Sequence, residues 1–129
     1  MQGDYYKGKP IKVVITGDAL KQFGELSRVV ADEISKGVTK SDHQVLFGAI
    51  KRKIDALKLN PACGIHVPRD RVPAEYVKLF EINNLWKLDL PRAWRMLYTI
   101  RGSEVDIISL ILDILDHRDY ERKFDYKKS

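Results

Sequence analysis

Arg95 stands in an apolar run of the sequence, between Trp94 and Met96. A guanidinium stays charged at every pH that a protein meets, so the group must be paired, solvated or in use. Its planar fork can hold two phosphate oxygens at once, which makes Arg95 the first candidate for chemistry on a phosphodiester. The alternative is a structural ion pair with Asp89 or Asp113, and the sequence leaves both open.

A second group of reactive side chains lies near the C-terminus, in the segment DHRDYERKFDYKK. Histidine as a residue type ordinarily titrates near neutral pH, so His117 is a candidate general acid or base, while Tyr120 can stack on a nucleobase or donate a proton. His117 can equally be an exposed residue at a helix start, and Tyr120 can instead pack on a sheet beside Phe124. Further candidates for RNA contacts are Lys87, Arg101, Arg122, Lys123, Tyr126 and Lys127. Because acidic residues alternate with the C-terminal cations, a solvated helix face is the competing interpretation.

Apolar periodicity predicts the elements that must position these residues. A β-branched run from Ile11 to Ile15 predicts a first strand, and helical spacing of apolar residues predicts a helix over 19–36. A capping box at Ser41 to Gln44 introduces a second helix, which Asn60-Pro61 ends. Two such helices with a short connection should form an antiparallel hairpin that buries its apolar stripes against a sheet.

The second half of the chain favours strands. Three prolines limit residues 61–73 to a short strand around 65–67, and residues 74–82 predict a short helix. Strand patterns follow over 85–90, 93–101 and 104–115, with Arg101-Gly102-Ser103 as a tight hairpin connection between the last two.

Alternation within the last two strands predicts which residues share a face. On the Arg95 strand, one face should carry Arg95, Leu97, Thr99 and Arg101, and the other Trp94, Met96, Tyr98 and Ile100. The last strand has apolar residues at both parities: Val105, Ile107 and Ile111 at one, and Ile108, Leu110, Leu112 and Ile114 at the other. This pattern is typical of a central strand covered on both faces.

Together these elements predict one α+β domain over residues 1–129. It should contain an N-terminal strand, an antiparallel two-helix hairpin, an antiparallel meander sheet of three to four strands and a short C-terminal helix. The helix hairpin should cover one face of the sheet and leave a cationic surface on the other.

The motif AWRMLYTI, followed by a long apolar strand and then DHRDYERKFDYKK, resembles the RelE/ParE toxin superfamily of prokaryotic toxin-antitoxin pairs. The order of strand, helix hairpin, three-strand meander and basic aromatic C-terminus extends the resemblance over nearly the whole chain. Within this superfamily, the RelE branch has an aromatic-Arg-apolar-apolar-Tyr strand, which the residues WRMLY at 94–98 resemble.

This resemblance implies an endoribonuclease that cleaves messenger RNA, typically in the ribosomal decoding site, and that a cognate antitoxin neutralises. It implies catalytic roles for Arg95, His117, Arg118 and Tyr120 in a metal-independent attack by a ribose 2′-hydroxyl, with no cofactor. The alternatives are a ParE-like poison of DNA gyrase and an inactive orphan member that acts only as a binding module.

Composition excludes several other classes of protein. No apolar run approaches the roughly 20 residues of a bilayer helix, and the single Cys63 cannot form an internal disulfide, as expected for a cytoplasmic protein. A net charge of +5 permits a nucleic-acid partner without requiring one. Cys63 and His66 have a Cys-x-x-His spacing, but without a second ligand pair we expect no zinc site.

Overall fold

The computed structural model describes residues 5–6, 8–102 and 106–125. In these ranges six strands form one sheet: β1 (Tyr5–Tyr6), β2 (Lys9–Ile15), β3 (Ile65–His66), β4 (Trp86–Leu90), β5 (Trp94–Gly102) and β6 (Ile107–Leu115). The same residues include four α-helices: α1 (Gly17–Ser35), α2 (Asp42–Leu59), α3 (Ala74–Phe80) and α4 (His117–Asp125). Within these ranges no helix is both long and apolar enough to cross a lipid bilayer. The predicted mixed composition of helix hairpin, meander and short C-terminal helix is confirmed.

The sheet has the strand order β1-β2-β6-β5-β4-β3. The meander of β4, β5 and β6 is antiparallel, as predicted. β2 lies parallel to β6, with Ile11 opposite Ile107, so the sheet is mixed rather than wholly antiparallel. This pairing places β6 in the interior of the sheet, where both of its faces are covered.

The α1/α2 hairpin covers one face of the sheet. Ala19, Ile50 and Leu57 from the helices are fully buried and pack with Met96 and Tyr98 from β5 in a first core. The Ser41 hydroxyl accepts from the Gln44 N–H at 3.1 Å, as the capping box predicts. The Gln44 side chain instead donates to Glu33 and to the Val38 carbonyl, which ties α2 to the end of α1.

The opposite face carries a second core beneath α3 and α4. Tyr76 and Phe124 pack there with Leu97 and Leu112 from the sheet. The sequence predicts a cationic surface on this face, but apolar contacts with α3 and α4 cover more of the face than expected. Two cations, Lys87 and Arg95, lie on the part of the face where β4 and β5 meet α4.

A β-bulge corrects the predicted alternation of β6. Leu97 lies opposite Asp113 while Tyr98 lies opposite Ile111, so Leu112 has no direct partner on β5. As a result Ile111 and Ile114 share the first core, whereas strict alternation puts them on opposite faces. On β5 the predicted alternation holds, since Met96 and Tyr98 belong to the first core and Leu97 to the second.

The turn between β4 and β5 was not predicted. Arg92 and Ala93 both have left-handed backbones, with φ of 58° and 62°, and the Trp94 N–H donates to the Pro91 carbonyl. Ala93 therefore belongs to a tight turn with the φ signs of type I′ rather than to the strand. Ser103, the last residue of the other predicted hairpin connection, lies outside the described residues.

Candidate functional site

Arg95 lies on β5 between Asp89 on β4 and Leu115 on β6. Its Nε is 3.0 Å from Asp89 Oδ1, and one terminal nitrogen donates to the Trp94 carbonyl at 3.2 Å. The buried Nε–H finds no well-aligned acceptor among the described residues, so the contact with Asp89 is an ion pair without a directed hydrogen bond. The Arg95 side chain is 20% exposed and that of Asp89 60%. Of the two counter-ions considered from the sequence, Asp89 is the one that Arg95 meets.

Tyr120 brings α4 to the same place. The Arg95 guanidinium carbon lies 5.1 Å from the centre of the Tyr120 ring, within the range of a cation–π contact. From β4, Lys87 Nζ lies 3.3 Å from the Tyr120 hydroxyl oxygen, to which it donates. The Tyr120 ring also stacks on the buried Phe124, with centroids 4.5 Å apart. We call Arg95, Tyr120 and Lys87 the cationic cluster.

The local structure explains why this cluster forms. Lys87 and Arg95 sit on neighbouring strands and share the sheet face that α4 covers, because Lys87 pairs with Leu97 and Asp89 with Arg95. The burial of Phe124 in the second core holds α4 against that face. Tyr120, one helical turn earlier, is thereby placed over the two cations.

The cluster has the donors that a phosphodiester requires. The Arg95 fork keeps N–H groups beyond the one given to Trp94, and Lys87 adds a second positive charge. Since the Tyr120 hydroxyl oxygen accepts from Lys87, its own hydrogen can be donated to a phosphate oxygen or to a leaving oxygen. A partly buried group of this kind favours a doubly negative phosphorane over the singly charged diester.

The other two predicted catalytic residues open α4 but do not join the cluster. His117 is 58% exposed, with Nε2 3.5 Å from a Glu121 carboxylate oxygen. Arg118 is also exposed. Among residues 8–102 and 106–124, no hydrogen bond, ion pair or ring contact links either of them to Arg95, Tyr120 or Lys87.

The predicted RNA-binding residues are dispersed. Arg101 donates to the Phe80 carbonyl at the far end of β5, and Arg122 forms an exposed ion pair with Asp119. Lys123 is held at 3.0 Å by Asp113 and at 3.2 Å by Glu75. Tyr126 and Lys127 lie outside the described residues. In the described part of the chain, no group of three His, Cys, Asp or Glu side chains could hold a metal ion.

Asp113, Tyr76 and Lys123 form a buried polar network that the sequence did not reveal. Asp113 is 3% exposed, and its Oδ2 accepts from the Tyr76 hydroxyl at 2.8 Å and from Lys123. Burial first, and then the charge of Asp113, raise the pKa of Tyr76 well above its usual range. Burial lowers the pKa of Lys123, but hydrogen bonds and charges from Asp113 and Glu75 outweigh it, and the net shift is upward. In the sequence, the Asp113 carboxylate inside an apolar strand is the one sign of this network. The spacing of residues gives no indication that Tyr76 is its partner.

Comparisons of the chain with protein-family models, with curated proteins and with solved structures found no match. The candidate site is the cationic cluster, in which three of the predicted site residues come together. His117, Arg118, Arg101 and Arg122 lie elsewhere on the surface, and Lys123 belongs to the buried polar network.

Proposed function

We propose that this protein is a RelE-like toxin of a toxin-antitoxin pair, an endoribonuclease that cleaves messenger RNA on the ribosome without a metal. The observation that supports this proposal is the cationic cluster: on a partly exposed sheet face, Lys87 donates to the Tyr120 hydroxyl and the Arg95 guanidinium lies over the Tyr120 ring. Its cytoplasmic location and its inhibition by an antitoxin belong to the same proposal.

In the proposed reaction the ribose 2′-oxygen attacks the adjacent phosphorus and the bond to the 5′-oxygen breaks. Arg95 binds the two non-bridging oxygens as negative charge grows on them. Tyr120 gives its hydroxyl proton to the departing 5′-oxygen, and Lys87 stabilises the phenolate that remains. The products are a 2′,3′-cyclic phosphate and a 5′-hydroxyl.

His117 and Arg118 would act from the open side of α4. His117 lies in the first turn of the helix that also carries Tyr120, and its imidazole is available to take the 2′-hydroxyl proton. Arg118 would contact a neighbouring phosphate. Lys123 is left out of the proposed RNA surface, since its ammonium is engaged by Asp113 and Glu75.

The first prediction concerns Arg95. Arg95→Ala should lower cleavage of ribosome-bound messenger RNA by roughly 10² to 10³, as for loss of one preorganised donor. Thermal stability should change little, because the carboxylate left behind at Asp89 is 60% exposed and remains hydrated. Arg95→Lys should restore part of the activity, since an ammonium cannot reproduce a bidentate fork. Primer extension on the RNA and a melting curve on each variant measure both effects.

Arg92→Ala is the matched control. Arg92 lies in the turn before β5, carries the same charge and forms an ion pair with Asp42 in which both side chains are 68% exposed. Its removal should leave cleavage near the wild-type rate. If both variants lost the same fraction of cleavage activity, Arg95 would contribute only its positive charge to the reaction.

Expression without a partner separates the proposed activity from its alternatives. We expect growth arrest with cut messenger RNA and intact DNA. Filamentous cells with damaged DNA and uncut RNA would support a ParE-like gyrase poison instead. Normal growth with folded protein present would support an inactive orphan member.

A further inference from the structure

A groove of about 680 Å³ lies at the edge of the sheet, between β3, the loop that follows it and α3. Aliphatic side chains form its apolar walls: Val67, Val72, Val77 and Ile82. Its charged lining residues are two cations, Arg69 and Lys78. No carboxylate of the described residues lines it, and none of the residues of the cationic cluster does. The groove is thus a second surface, apolar within and positive at its rim.

The strand beside this groove has an open edge. The Val67 N–H donates to the Leu85 carbonyl at 2.9 Å, which makes Val67 and Leu85 a hydrogen-bonded pair of the antiparallel ladder. Hydrogen-bonded and non-hydrogen-bonded pairs alternate, so His66, opposite Trp86, turns its N–H and C=O away from β4. β3 is the last strand on this side of the described sheet, and His66 also lines the groove. A main-chain donor and acceptor therefore border the apolar cavity.

We propose that this groove binds an extended segment of a partner protein in which apolar residues alternate with acidic ones. The apolar side chains would fill the space beside Val77, the acidic ones would meet Arg69 and Lys78, and one peptide unit would pair with the main chain of His66. RNA fits less well, because bases stack on aromatic or guanidinium planes. Of the lining residues only His66 and Arg69 carry such a plane, whereas the apolar walls are aliphatic. This inference does not depend on the proposed nuclease activity, and either can fail alone.

The probe is a library of random linear peptides displayed on phage and selected against the immobilised full-length protein. Enriched peptides should alternate apolar and acidic residues. Val77→Asp should weaken their binding about tenfold or more, since it places a like charge beside the acidic residues and removes an apolar contact. Val77 is 45% exposed, so the substitution is compatible with the fold. Val29→Asp on α1, at 39% exposure and outside the groove, is the matched control and should bind as the wild type does.

Hydrogen exchange on the complex with an enriched synthetic peptide tests the main-chain pairing. The His66 amide should become protected, together with α3. Unchanged exchange at His66 would overturn the strand pairing. Enrichment of basic peptides, no enrichment at all, or equal binding by Val77→Asp would overturn the docking proposal.

Two other occupants would also overturn it. A single-stranded oligouridylate that protects residues 65–84 and competes with the selected peptides would assign the groove to RNA. A dimer of the wild type that Val77→Asp dissociates, measured by light scattering, would assign it to a second copy of this chain.

Discussion

At the scale of single residues, the exposed counter-ion of Arg95 explains how an apolar strand tolerates a guanidinium. Asp89 neutralises the charge at the solvent edge of the sheet, and the Tyr120 ring covers its inner side. An ion pair of this kind contributes little to folding, about 0–1 kcal/mol when the partner is hydrated. The guanidinium can therefore exchange Asp89 for a phosphate without loss of the fold.

Gly64 is a residue where a single methyl group should disturb the fold. A Cβ at this position would lie 2.6 Å from the Lys87 carbonyl oxygen and 2.8 Å from the Tyr98 hydroxyl. That hydroxyl accepts from the Gly64 N–H and donates to the Pro61 carbonyl at 2.6 Å, so it cannot move freely. We predict that Gly64→Ala lowers the free energy of unfolding by about 1–3 kcal/mol, as overpacking does. Denaturant titration measures it.

Gly24→Ala is the control for this change. Gly24 lies inside α1, and a methyl group added there would meet no described neighbouring atom within 4 Å. Alanine favours a helix by roughly 0.5–1 kcal/mol over glycine. The two substitutions should thus shift stability in opposite directions. Equal effects of both would refute the close contact at Gly64.

At the scale of elements, the carboxylate of Glu33 fastens α1 to α2. It accepts from the Ser41 hydroxyl at 2.5 Å and contacts His43 Nδ1 at 2.8 Å. The hydrogen bond from Ser41 first, and then that from His43, lower the pKa of Glu33. Because the folded pKa lies below the unfolded one, the stabilisation is present above the ordinary glutamate pKa and is lost as the pH falls through the folded value.

We therefore predict that Glu33→Gln lowers the melting temperature at neutral pH and that the difference from wild type narrows as the pH falls below the ordinary glutamate pKa. Thermal melts across this range measure it. Asp32→Asn, which affects an ion pair with Lys36 at the protein surface, should change the melting temperature little. If the difference in melting temperature between Glu33→Gln and wild type did not change with pH, the carboxylate charge would not be what joins the helices.

Local patterns sufficed to predict most of these elements, and non-local pairing accounts for what they missed. The helices and the β4–β6 meander follow from apolar periodicity and from signals such as Ser41 and Asn60-Pro61. The bulge at Leu112 depends on how β6 meets β5, and the left-handed turn at Arg92 lacks the glycine or asparagine that usually signals it. The same holds for the site: Arg95 and Tyr120 stand out in the sequence, but their contact depends on α4 folding back over β5.

At the scale of the whole molecule, the buried network joins α3 and α4 to the sheet. Lys123→Met should lower the free energy of unfolding by about 2–3 kcal/mol. It would leave the Asp113 carboxylate, which is 3% exposed, with the Tyr76 hydroxyl as its one remaining side-chain donor among the described residues. The expected loss lies below the roughly 3–5 kcal/mol for a fully buried pair, because Lys123 is 25% exposed. Chemical denaturation provides the measurement.

Lys36→Met is the comparison for Lys123→Met. It breaks an ion pair with Asp32 whose partners are 70% and 60% exposed, and it should change stability by less than about 1 kcal/mol. Adding Asp113→Asn to Lys123→Met should recover part of the loss, because it removes the uncompensated charge. A double variant less stable than the single one would contradict this account of the network.

The parallel pairing of β2 with β6 has a consequence for the order of events during synthesis. β2 leaves the ribosome early, but its neighbour in the sheet is the last of the described strands to be made, and α4 with Tyr120 follows that strand. Long-range strand pairing is slow because the intervening chain must first close into a loop. A nascent chain whose β6 and α4 have not yet left the ribosome therefore lacks both the finished sheet and the cationic cluster. If the proposed activity is correct, the protein cannot attack the message from which it is being translated until its own synthesis has passed α4.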